Sequence, residues 1–68
     1  MEISFIKNGT NEIWVAFDAA TGKTHGKITR ERPTQYQVWI AGIHGRDIPQ
    51  GSPHPTLGAA QDDLRSFF

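Results

Sequence analysis

Two tryptophans, Trp14 and Trp39, and four cations set within ten residues, Lys23, Lys27, Arg30 and Arg32, are the side chains of this 68-residue chain best suited to chemistry. The chemistry they suit is recognition. Indole rings anchor protein interfaces, stack on bases and pack against cations, while ammonium and guanidinium groups hold carboxylates or phosphates. Glu31 is the one acid between Lys23 and Arg32, so that stretch carries a local charge of plus three, four cations less one acid.

Groups that would carry catalysis are not arranged for it. Gly22-Lys23-Thr24 has the ending of a phosphate-binding loop, but Phe17 stands where that motif needs its first glycine, and a strand pattern follows instead of a helix. Ser52 lies in Gly51-Ser52-Pro53, not at a strand-to-helix elbow. Asp62 and Asp63 are neighbours, so on a helix they diverge by about 100° and cannot face one another. His25, His44 and His54 are irregularly spaced and no Cys accompanies them, which matches no metal-ligand pattern. The expectation is a non-enzymatic chain with no cofactor and no metal.

Seven Lys and Arg balance seven Asp and Glu, and the pI is about 6.8, which argues against a protein whose main task is to coat phosphate backbones. A single domain of this length buries only roughly 60% of the surface its unfolded chain exposes. Without cysteine it has no disulfide or thiolate staple, so self-association as a homodimer is a natural remedy. The opening residues Met1-Glu2-Ile3-Ser4-Phe5 lack a basic segment leading into an apolar run, and no apolar stretch reaches membrane length. A cytoplasmic location without membrane contact is expected, and Asn8-Gly9-Thr10, although a glycosylation triplet, reads as a turn.

A sheet must position the tryptophans. From Glu12 to Asp18, Ile13, Val15 and Phe17 alternate with Trp14 and Ala16; from Gln35 onward, Tyr36, Val38 and Ile40 alternate with Gln37 and Trp39. The class predicted is α+β, an antiparallel β-meander of three to four strands with one C-terminal helix packed on one face. Strands fall at about 2–7, 12–18, 24–31 and 35–43. The three prolines and two glycines of residues 44–55 predict a surface loop. Thr56 predicts an N-cap for a helix at about 57–67, with Leu57, Ala60, Leu64 and Phe67 on one stripe.

That stripe is expected to cover the face built from Ile13, Val15, Phe17, Ile28, Tyr36, Val38 and Ile40. A four-residue loop at Ala19 to Gly22 pairs Asp18 with Lys23, hence Ile13 with Ile28 and Trp14 with Lys27. A three-residue loop at Arg32 to Thr34 pairs Lys27 with Trp39. The outer face is then expected to display Trp14, Lys27 and Trp39 in a row.

Such a row serves as structural packing in which the lysine stem lies between the two rings, as a surface for a protein partner or second copy, or as a nucleic-acid platform. The preferred reading is a binding module acting by protein–protein contact through Trp14, Lys27, Trp39, His44, Arg46 and Asp47. The alternative is a DNA- or RNA-binding domain in which Lys23, Lys27, Arg30 and Arg32 hold phosphates beside the tryptophans. The order of strands and then a helix resembles plant AP2-type domains and integrase arm-binding domains, and the resemblance implies a sheet presented to the DNA major groove, with no residue role carried over. Small, neutral chains are common among phage- and mobile-element-encoded regulators and inhibitors of host machinery, which is the class expected from size.

Overall fold

The computed structural model describes residues 2–42 and 45–68. His44, one of the residues expected to bind a partner, lies outside them. Among the described residues five strands form: β1 Ile3–Lys7, β2 Ile13–Asp18, β3 Thr24–Arg32, β4 Gln35–Ala41 and β5 Asp47–His54. They pair antiparallel in chain order as one sheet, and the helix α1, Leu57–Arg65, follows. The architecture is α+β with a meander, as the sequence predicts, but with five strands in place of three to four. Among the described residues, no helix is long and apolar enough to cross a membrane.

The fifth strand corrects the loop expected over 44–55. Gly42 donates to the Arg46 carbonyl at 2.8 Å across the β4–β5 pair. Counting by twos along the register, Ile40↔Ile48 and Val38↔Gln50 are hydrogen-bonded pairs, and Trp39↔Pro49 is not. The N–H that Pro49 lacks would point away from the sheet, on an edge strand, where proline is tolerated. Further on, residues 51–53 stand against Gln37 alone, and Gly51 takes φ +65° to let the chain bulge. Gln37 bridges this irregular stretch: its amide Nε2, sharing two hydrogens among three acceptors, lies 3.1, 3.3 and 3.2 Å from the Val38, Gln50 and Gly51 oxygens. Gln37 is buried.

A single residue in β3 changes what each face of the sheet carries. The turn at Ala19 to Gly22 forms as expected: Gly22 donates to the Asp18 carbonyl at 2.7 Å, and Asp18 to the Lys23 carbonyl at 2.9 Å. Phe17 then pairs with Thr24, but Ala16 pairs with Gly26, which leaves His25 as the extra residue of a β-bulge. Every later pair is displaced by one, so Trp14 meets Ile28 and Ile13 meets Thr29. Because side chains alternate, β2 presents the opposite face to the one expected. Trp14 and Ala16 join Ile28 and Val38 on the helix side, whereas Ile13, Val15 and Phe17 lie half-buried on the outer face.

Thr56 caps α1 as expected, with extended backbone and a hydroxyl that accepts from the Ala59 N–H at 3.2 Å. Ala60 and Leu64 are fully buried with Ile28 and Val38, and Leu57 packs at their margin. The helix lies over β4 and touches β5 and β3. His54 Nε2 and Asp63 Oδ2, 2.9 Å apart, tie the end of β5 to it. At its other end the Arg65 guanidinium sits 5.0 Å from the centre of the Phe5 ring, and His25 packs on Phe68 at 4.9 Å. Ser66 ends the helix, so Phe67 falls beyond the stripe and is exposed. Replacing Thr56 with alanine orphans the Ala59 N–H and is expected to cost about 1 kcal/mol. A lowered urea midpoint at unchanged slope checks it.

Candidate functional site

On the outer face the β3–β4 register sets Lys27 directly opposite Trp39, and the β4–β5 register sets Pro49 on the indole's other side. The Trp39 ring is half-buried and its orientation is fixed by a chain of hydrogen bonds. Its Nε1–H donates to Thr29 Oγ1 at 2.8 Å, and the Thr29 hydroxyl donates to Glu31 Oε1 at 2.7 Å. Lys27 Nζ stands 5.5 Å from the ring centroid and 3.2 Å from Asp47 Oδ2. With side-chain exposures of 34% and 36%, that ion pair contributes about 0.2–1 kcal/mol and chiefly orders the two side chains.

Three of the expected partner-binding residues, Lys27, Trp39 and Asp47, are thus brought together, and Arg46 is exposed in the sequence position beside them. Trp14 is not part of the group. It sits on the helix side, 5.9 Å from the Tyr36 ring, with Lys7 Nζ 5.7 Å from its centroid. The outer face also carries Thr29 and Glu31, which hold Trp39, and Ile13, Val15 and Phe17, which sequence alternation had assigned to the core. The signal for that exchange was present in Gly26: a glycine inside a strand marks a bulge or a close backbone approach.

The four cations of the nucleic-acid reading do not share a surface. Lys27 is on the outer face and paired with Asp47, while Arg30 pairs in register with Tyr36 on the helix side, with Glu12 at 3.7 Å and the Tyr36 ring at 5.8 Å. Lys23 precedes β3 and Arg32 ends it, so the nine-residue strand, about 30 Å at its usual rise, separates them. Among the described residues, no group of three or more His, Cys, Asp or Glu is placed to hold a metal ion. What the outer face offers chemically is an ordered indole bordered by a cation, an anion and aliphatic surface. Compared with known proteins, the chain matches no family model, no curated protein and no solved structure.

Proposed function

We propose that the chain is a small non-enzymatic binding module that acts by protein–protein contact, docking through the outer sheet face around Trp39. One observation carries this reading: a tryptophan held rigid by Thr29 and flanked by the Lys27–Asp47 pair stands on the face opposite the helix. An aromatic ring ordered in advance loses little freedom on binding, and Trp is the residue most enriched at interface hot spots. Lys27, Arg46 and Asp47 supply a polar rim, and Ile13, Val15 and Phe17 extend apolar surface away from it. A regulator or inhibitor of phage or mobile-element type, engaging host machinery, fits a neutral chain of this size.

The test compares partner capture by the parent chain, by Trp39→Thr, which keeps a strand-forming residue, and by Trp14→Phe on the opposite face. Trp39→Thr should weaken capture by at least about 30-fold, the loss of a hot spot of about 2 kcal/mol, and Trp14→Phe should leave it unchanged. Undiminished capture by a folded Trp39→Thr chain would sink the proposal. A steeply salt-dependent complex with oligonucleotides would favour the phosphate-binding alternative instead.

A further inference from the structure

β1 and β5 are the two edges of the sheet, and they are built differently. β5 is blunted by Pro49, Pro53 and the irregular stretch at Gly51. β1 has no proline, and its register with β2 runs unbroken from Ile3↔Asp18 to Lys7↔Trp14. The flanking bonds reveal which of its backbone groups are left over. Ala19 donates to the Glu2 carbonyl at 3.1 Å and Asn8 to the Ile13 carbonyl at 2.9 Å. Even-numbered residues of β1 therefore bond to β2, and alternation turns the N–H and C=O groups of Ile3, Phe5 and Lys7 outward. Among the described residues, only one of these six groups has a backbone partner: the Lys7 carbonyl accepts from Gly9 at 3.1 Å. Ile6, on the outer face of the same strand, is the most exposed large hydrophobic residue among the described residues, at 59%.

We propose that this edge pairs with the same edge of a second copy, antiparallel about a two-fold axis through Phe5, joining two five-stranded sheets into one. The strand is its own complement in hydrogen bonding. Phe5 exchanges both bonds with Phe5 of the second copy, and Ile3 does so with its Lys7, so every outward group is used in one register. On the outer face Ile6 then lies opposite Ser4 of the second copy and diagonal to its Ile6, which takes this exposed aliphatic side chain out of water. Charge does not oppose the pairing. The two Lys7 residues stand about 14 Å apart at the usual strand rise, beyond the screening length of about 10 Å in 0.1 M salt, and each already has Glu12 within 3.9 Å. A pair of five-residue strands buries less than the roughly 1,200 Å² of a standard interface, so the dimer is weak and concentration-dependent. Trp39, three strands away on β4, stays uncovered, and the dimer presents two such sites on one side of a continuous sheet.

Sedimentation equilibrium of the full chain from about 10 μM to about 1 mM should follow monomer into dimer. Ile6→Lys should weaken association at least about tenfold, because the lost apolar contact counts twice in a symmetric pair. In the parent chain, amide exchange at Ile3, Phe5 and Lys7 should slow at least about fivefold from low to high concentration, while Ser4 and Ile6, already bonded to β2, stay unchanged. A chain that remains monomeric at about 1 mM overturns the proposal. So does a dimer whose Ile3, Phe5 and Lys7 amides exchange as in the monomer, or one that Ile6→Lys leaves intact. Because Trp39 is untouched throughout, none of these outcomes bears on the docking site.

Discussion

Truncating Leu64 to alanine is expected to lower the melting temperature by at least about 10 °C. Leu64 is fully buried and, with Ile28 and Val38, is one of the three largest side chains so enclosed among the described residues. Losing a core leucine to alanine removes the transfer free energy of its methyl groups and leaves a cavity, together about 2–5 kcal/mol. A chain of this length has a total stability of roughly 3–10 kcal/mol at the usual 0.05–0.15 kcal/mol per residue. The substitution therefore takes a large share of what holds the domain folded. The helix is exposed to this loss more than the sheet: among the described residues its hydrophobic side chains in the apolar cluster are Leu57, Ala60 and Leu64, whereas the strands keep their ladders. Thermal unfolding followed by circular dichroism checks the prediction, at about 4–8 °C per kcal/mol for a domain of this size. A shift under about 3 °C would mean that the helix does not depend on Leu64.

Turn chemistry and caps were legible because they are local. Thr56 caps the helix and Gly22 closes the turn before β3 as residue types alone predict; Lys27 also stands opposite Trp39 as expected, but through a two-residue turn, with Arg32 paired to Gln35 and Glu31 as an extra residue, in place of the three-residue loop expected at Arg32 to Thr34. The faces of β2 were not legible, for a physical reason. Ile13, Val15 and Phe17 on one side and Trp14 and Ala16 on the other both suit a pleated, half-buried surface, so periodicity does not choose between them. The choice is made by the extra residue at His25, and a bulge is an event between two strands rather than a property of either one.

β5 was hidden by a similar dependence. Proline excludes a segment from the middle of a sheet but not from its edge, and whether Asp47–His54 is an edge follows only from the strand order. Gln37 shows the same limit from the other side. By parity it was an outer-face polar residue, yet it is buried, with its amide reaching the Gln50 and Gly51 carbonyls where β5 departs from the ladder. The consequence for function is direct. Of the expected row of two indoles and a lysine, Lys27 and Trp39 stay opposite because the shorter β3–β4 turn and the extra residue at Glu31 offset one another, whereas the single extra residue at His25 has no such offset and Trp14 leaves the row.

Adding one methyl group at Gly26 should both destabilise the fold and disturb the Trp39 site. Gly26 does not have a positive φ, so its role is space rather than backbone freedom. A Cβ there would run into the backbone carbonyl oxygen of Trp39 on the neighbouring strand, and would stand 3.4 Å from both the Ile40 Cα and Leu64 Cδ1. A side chain could swing aside, but a carbonyl within a ladder cannot, so relief requires β3 to part from β4 at Gly26↔Ile40, next to Lys27↔Trp39. Overpacking of this kind costs about 1–3 kcal/mol, and here the displaced backbone is the one that carries the indole. Gly58→Ala provides the opposite sign: nothing lies within 4 Å of a Cβ at that helical position, and replacing glycine there is expected to stabilise by up to about 1 kcal/mol. Urea unfolding of both variants, with the fluorescence of Trp39 isolated in a Trp14→Phe background, separates the two effects. Gly26→Ala should lower the midpoint and shift the Trp39 emission, whereas Gly58→Ala should raise the midpoint and leave the emission alone. If Gly26→Ala keeps both at their parent values, β3 and β4 do not approach as closely at Gly26↔Ile40 as the structure places them.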